Sequence, residues 1–321
     1  MKHWHKGALL LAAALLLATA LPAVAQDDEQ DELSELLSDV GETYARGYLA
    51  PLISGFGINQ NSGLYHTAHI PNTGLTLGFA IKGMASKLES EDKTFRVSQR
   101  VDLADWLDPS DPGYGEEGTI VFEGPTVFGA EGETGSVTAY WHGIPVYEAE
   151  GIESLVDLDY VPLVTPELSV GGIAGLRGTI RWVPDIDAGD VGKIKYMGLG
   201  VSYSPNAFFP TLPVDVAVGM FQQSLDIGDV IESTASSYYL AVSKNFAPLT
   251  VYAGVATEES SMDVHYTYED DGETTEIDFS LDGVQEKRTT LGATLTMGLK
   301  LNVEMNMGNM TNYSGGLIFG F

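Results

Sequence analysis

The residues with the widest chemical reach in this chain are its few cations. Asp+Glu 45 stand against Lys+Arg 16, a formal net charge of -29. Lys82, Arg96, Arg100, Arg177, Arg181, Arg288 and Lys300 nevertheless fall on the polar beat of segments in which every second residue is apolar. If that beat faces the inside of a closed sheet, much of the scarce positive charge points inward. Such a cluster could attract carboxylate or phosphate groups, which the planar guanidinium of arginine meets with two parallel hydrogen bonds. The competing use is structural: the same cations pair with Asp215, Glu304 and acids of an N-terminal helix and hold the lumen contents in place. These cations, with Asp215 and Glu304, are the candidate binding residues.

Other chemistry is thinly represented. His66 and His69 are three apart, which places them on opposite faces of a strand, and His142 and His265 stand alone. A metal site needs three or four convergent ligands, so neither metal nor cofactor is expected. No G-x-S-x-G, H-E-x-x-H, P-loop or dinucleotide fingerprint occurs, no catalytic residue is assigned, and the chain reads as a non-enzyme. Its acidity repels nucleic acid. With no cysteine, stability must come from a core or a closed hydrogen-bonded sheet.

The elements that must position these residues are strands. Lys2 and Lys6, an apolar run from Ala8 to Leu21 and then Ala23-Val24-Ala25 form a cleavable export signal over residues 1–25. Beyond it no apolar run is long enough for a spanning helix, so any membrane crossing must use strands. Residues 26–57 predict an amphipathic helix, with Leu33, Leu36, Leu37, Val40, Tyr44, Tyr48 and Leu52 at three- and four-residue spacings, ended by Gly55-Phe56-Gly57. Its role is either a cap packed on the periplasmic side or a plug inside the lumen. Residues 58–321 predict an all-β, antiparallel transmembrane barrel of about 12 strands, within 10 to 14, at roughly 20 residues per strand and loop.

The alternation is explicit. Leu77, Phe79 and Ile81 interleave with Gly78, Ala80 and Lys82; Met197, Leu199 and Val201 with Gly198 and Gly200; Val214, Val216 and Val218 with Asp215 and Ala217; Tyr238, Leu240 and Val242 with Tyr239 and Ala241. One face suits lipid and the other water. The run from Leu291 to Met307 is too long for one strand and predicts a turn near Gly298, whereas Leu168 to Trp182 reads as one extended strand. The stretch near 103–166 is irregular, and Gly118 to Pro166 is expected to restrict the lumen, with Trp141 and Tyr147 as candidates to line a passage. An acidic outer loop or protruding hairpin is expected near 258–286. Trp182, Tyr196, Tyr203, Phe208, Phe209, Tyr238, Phe246, Tyr313 and Phe321 suit interfacial girdles.

The last strand ends Leu317-Ile318-Phe319-Gly320-Phe321. A closing strand with a terminal phenylalanine is the kind of signal read by the barrel assembly machinery. With that strand running inward, Ala247-Pro248 and Pro205 to Pro213 become inner turns, while Pro184 to Gly192, Asp226 to Thr234 and Asn309 to Asn312 lie outside. The expected partners are outer-membrane lipid, the assembly machinery and a small solute.

The blocks Tyr160-Val161-Pro162-Leu163, Arg181-Trp182-Val183-Pro184-Asp185-Ile186-Asp187 and Leu212-Pro213-Val214-Asp215-Val216, with Tyr48-Leu49-Ala50-Pro51-Leu52 and Asn61-Ser62-Gly63-Leu64-Tyr65, resemble a family of uncharacterised bacterial outer-membrane β-barrel proteins. The resemblance implies location and fold. More distantly, an N-terminal segment ahead of a mid-sized barrel is similar in architecture to the FadL-like channels for fatty acids and hydrocarbons. The expectation is a passive channel or transporter for small, hydrophobic or carboxylate-bearing solutes in the outer membrane of a Gram-negative bacterium. The alternatives are a structural or adhesive barrel acting through acidic external loops and, third, a lipid-active barrel enzyme.

Overall fold

The computed structural model describes residues 30–320 except 131, 155, 188–192, 210–211, 229–230 and 271–272. The export signal at 1–25, the side chains of Leu33, Leu36, Leu37 and Val40, and Phe321 lie outside the described residues. Among the described residues one α-helix, α1 (Gln30–Gln60), precedes the strands. In chain order these are β1 (Thr76–Lys87), β2 (Thr94–Asp102), β3 (Glu117–Pro125), β4 (Thr134–Trp141), β5 (Ile144–Glu153), β6 (Tyr160–Ile173), β7 (Leu176–Asp187) and β8 (Lys193–Tyr203). There follow β9 (Asp215–Ile227), β10 (Ile231–Phe246), β11 (Leu249–Asp270), β12 (Glu273–Asp282), β13 (Lys287–Met297), β14 (Leu299–Met307) and β15 (Thr311–Gly320).

The chain divides into two compact units. The first comprises the residues up to Leu52, Leu88–Asp159 and Val264–Leu281; the second comprises Ile53–Lys87, Tyr160–Asp263 and Asp282–Phe321.

In the first unit, β2-β3-β4-β5 form an antiparallel meander with the helix laid across it. Tyr44 is the centre of that packing: its ring meets Phe95 and Phe122 edge-on at centroid distances of 5.2 and 5.3 Å, and its hydroxyl accepts a hydrogen bond from the Ile152 backbone N–H at 2.8 Å. Tyr48 donates to the Glu153 carbonyl at 2.9 Å. Much of the stretch near 103–166, expected to be irregular, is strand in β3 to β5 and the start of β6. On β2 every second residue is exposed, and the alternate ones, Phe95, Val97, Gln99 and Val101, are partly covered.

In the second unit, ten strands close on themselves among the described residues. Their order is β10-β9-β8-β7-β6-β1-β15-β14-β13-β11, and β10 also pairs with β11. Ten lies at the low end of the expected range because β2 to β5 belong to the other sheet. The hairpin at Gly298 (φ 86) falls where the sequence placed it. Leu168 to Trp182 is two strands rather than one, folded at Ala174 and Gly175, both at positive φ. The two-residue turn alone would reverse the parity, but a register shift between Gly171 and Ile173 restores it, so Leu168 and Ile180 pair and both face outward, which is why the run looks continuous. Leu77, Phe79, Ile81, Leu168, Val170, Ile180, Leu199, Val201, Leu240, Leu291, Val303 and Leu317 face outward and exposed, while Ala80, Lys82, Arg181, Tyr239, Asn302 and Glu304 are buried. Outward oil and inward polarity in a sheet without free edges is the arrangement a bilayer demands of strands. No described helix is long and apolar enough to cross a membrane.

The helix does not stop at Gly55-Phe56-Gly57 but runs through Pro51 to Gln60. Glycine inside a helix costs about 1 kcal/mol, but here tertiary packing outweighs propensity. A Cβ on Gly55 would collide with Val161 and one on Gly57 with Ser260, so both glycines let the helix lie against the barrel wall.

Candidate functional site

Residues 53–75 thread the lumen from one rim to the other. Near the rim where β1 ends and β6 begins, the Asn59 amide donates to the Val161 carbonyl at 2.7 Å and accepts from Ser86 and Asn312 at 3.0 and 2.7 Å. At the opposite rim the Asn72 carbonyl accepts from the Ala174 N–H at 2.9 Å, just before β1 starts. Between them, Leu64, Tyr65 and Ala68 pack with Ala217, Phe221, Tyr239 and Tyr252. Tyr65 lies 4.7 Å from Tyr239, centroid to centroid, and 5.6 Å from Tyr252. Gly254 admits the Tyr65 hydroxyl, where any Cβ would overlap it. Residues 53–75, which overlap the 26–57 segment only at its end, thus lie within the lumen.

Two arginines bind the end of the helix. Arg181, fully buried, donates to the Gln60 carbonyl at 3.1 Å, to the Gly63 carbonyl at 2.7 Å and to Glu167 at 3.1 Å. It also lies over the Phe221 ring. Arg288 donates to the Asn61 carbonyl and pairs with Glu258 at 2.8 Å. The last carbonyls of a helix carry its negative end and have no partners within the helix, so buried cations there neutralise both. Gly63 supplies the left-handed turn (φ 67) that leads the chain out of the helix. Its N–H donates to Glu304 at 2.8 Å. Glu304 also accepts from Tyr252 at 2.9 Å and Asn306 at 3.0 Å, while Lys82 donates to Asn302 at 3.4 Å.

Toward the rim where β1 begins, the plug leaves a cavity of about 610 Å³, lined among others by His66, His69, Arg177, Asp215, Thr250 and Lys300. His69 pairs with Asp215 at 3.0 Å, and Arg177 donates to the His69 carbonyl at 3.1 Å. The two histidines, expected on opposite faces of a strand, are on the plug and border one cavity, since this segment is not extended. No group of three or more metal-ligating side chains converges among the described residues.

Of the candidate residues, Lys82, Arg181, Arg288 and Glu304 meet in the deep lumen, and Arg177, Asp215 and Lys300 meet at the cavity. Arg96 and Arg100 do not join them. Both lie on β2 of the first unit, exposed, with Arg96 paired to Glu123. Their polar beat faces away from a covered sheet side instead of into a lumen, and period-two alternation cannot distinguish these cases. Trp141 and Tyr147 likewise belong to the first unit rather than to the barrel strands, Trp141 donating to Glu116 and Tyr147 edge-on to Trp106, and β3 to β5 account for much of the stretch from Gly118 to Asp159. Tyr196, assigned to a girdle, points inward and donates to Gln223 at 2.5 Å. Missed by sequence reasoning were Glu167, Gln223, Tyr252 and Glu258; each sits on the inward beat of its strand, the one signal that could have found them.

A sealed β-barrel with a lipid-facing apolar wall and a charged, plugged lumen defines the class: a membrane-spanning β-barrel protein. The chain belongs to the family of unknown function DUF6588, matched over residues 1–321. No curated protein matches it. Among solved structures it is similar to in-vitro folded OmpT of Vibrio cholerae, an outer membrane protein in trimer form, at 10% identity and TM-score 0.24, covering 78% of this chain and 100% of that one. It is also similar to the beta domain of the Bordetella autotransporter BrkA, at 9% and 0.31, covering 77% and 100%. A third is Salmonella typhi OmpF in complex with daunomycin, at 9% and 0.19, covering 78% and 98%. Likeness at this level says nothing of activity, and none of these structures confirms the FadL-like architecture.

Proposed function

We propose that this protein is an outer-membrane channel for small solutes, closed at rest by residues 53–75 and opened by their displacement. The observation that carries this reading is the polarity of the wall behind the plug. Replacing buried ion pairs by apolar side chains of similar volume is often neutral or stabilising. A barrel serving only as an anchor therefore has little need of Lys82, Glu167, Arg181, Glu258, Arg288 and Glu304 inside it. A path that must stay wet once the plug has moved does need them, because apolar constrictions exclude water. Export through a cleaved signal at 1–25 and insertion through the strand ending at Phe321 belong to the same proposal.

The chain has no cysteine, so the plug can be tied down cleanly. The hydroxyls of Thr67 on the plug and Ser243 on β10 lie 3.2 Å apart, within reach of a disulfide after Thr67→Cys with Ser243→Cys. In planar bilayers the wild type should show discrete openings. Oxidation of the double variant should abolish them and reductant restore them. A wild type that never conducts would overturn the proposal in favour of a structural or adhesive barrel acting through the β11–β12 hairpin, and openings indifferent to the cross-link would overturn closure by residues 53–75.

A further inference from the structure

The acids of the deep lumen are all engaged: Glu167 by Arg181, Glu258 by Arg288, and Glu304 by the Gly63 N–H, Tyr252 and Asn306. The cavity beside them is different. Among the described residues its one carboxylate, Asp215, is taken by His69. Arg177 donates to the His69 carbonyl and is in no ion pair among the described residues, so donors of its guanidinium can serve a ligand, and Lys300 likewise meets no acid among the described residues. The two cations reach the cavity from different arcs of the wall, with β6, β1 and β15 lying between β7 and β14. Hydroxyls of Thr76, Thr250 and Thr296 share its lining. Positive charge in a recess with low-dielectric walls concentrates anions locally, even in a chain whose net charge is negative.

We infer that this cavity binds the oxyanion group of a small solute, a carboxylate or a phosphate, between Arg177 and Lys300. The inference rests on the channel reading only for its role, since it makes the cavity the docking point at the mouth of the solute path; binding itself needs no opening. The guanidinium supplies a two-pronged contact, the ammonium a point charge, and the threonines further donors.

The test is calorimetric titration of the full, refolded protein with sodium acetate and, separately, with inorganic phosphate. Folding is verified by the shift in gel mobility on heating. Saturable binding of either anion, at one site per chain, is expected, and the anion bound more tightly identifies the class. Lys300→Gln should weaken it about tenfold, the worth of one charge-assisted contact. Arg177→Gln should do the same, while Arg100→Gln, in the other unit, should change nothing. Lys300 is only part-buried, so its variant keeps the test sound even if Arg177→Gln fails to fold. No binding of either anion, or undiminished binding by folded Lys300→Gln, would overturn the inference. Binding by a barrel that never conducts would sink the channel reading alone; conductance without binding would sink this one alone.

Discussion

Arg181 gathers acceptors from four places in the sequence: Gln60 and Gly63 on the plug, Glu167 on β6 and Gln223 on β9. A residue so placed cannot be removed without stranding several partners at once. Arg181→Met should lower stability by about 3–5 kcal/mol, the cost of leaving a buried carboxylate and helix carbonyls uncompensated. Glu167→Gln should cost less, about 1–2 kcal/mol, because the guanidinium keeps its backbone acceptors. Urea unfolding in detergent checks both, and equal losses would show that the ion pair, not the carbonyl contacts, dominates. Arg181 was legible in the sequence as an inward cation, but the carbonyls it caps were not, because backbone groups carry no residue-specific signal.

At the scale of elements, the helix on the β2–β5 sheet offers a titratable probe. Burial pushes the Tyr44 phenol up to about 12 from its ordinary 10.0, against the opposing effect of the hydrogen bond from Ile152. Between those pH values the unfolded chain releases this proton and the folded one retains it, so stability falls as pH rises above 10 and goes on falling to about 12. Two pH units for one group amount to about 2.7 kcal/mol. Tyr44→Phe should remove that alkaline loss while costing about 1 kcal/mol at neutral pH for the orphaned Ile152 N–H. Circular-dichroism melts at pH 8 to 12 measure both effects; an unchanged alkaline slope would show that Tyr44 is not the group responsible. The helix itself was visible in its three- and four-residue spacing, but its end was misplaced. Glycine argued for a break, and only the wall pressing on Gly55 and Gly57 reveals why the helix continues.

Across the whole molecule, the same two-residue rhythm serves two different media. Leu199 on β8 is an outward, exposed leucine of the closed sheet, and Leu199→Arg should cost about 2–4 kcal/mol if it lies near the bilayer midplane. Ser98, exposed on β2, should accept arginine within about 0.5 kcal/mol, as ordinary surface positions do. Folding efficiency into liposomes compares the two, and equal tolerance would remove lipid from the outward face of β8. The sequence by itself determined the strand faces, the absence of a described spanning helix, the turn at Gly298 and the inward set of Lys82, Arg177, Arg181, Arg288, Lys300 and Glu304, because side-chain alternation is a local property of extended chain. Only the tertiary structure decided which strands close into the barrel, that β2 to β5 form a sheet of their own, and that residues 53–75 occupy the lumen. Those outcomes depend on pairing between segments far apart in the chain and on which medium meets each face, and neither is written in the spacing of neighbouring residues.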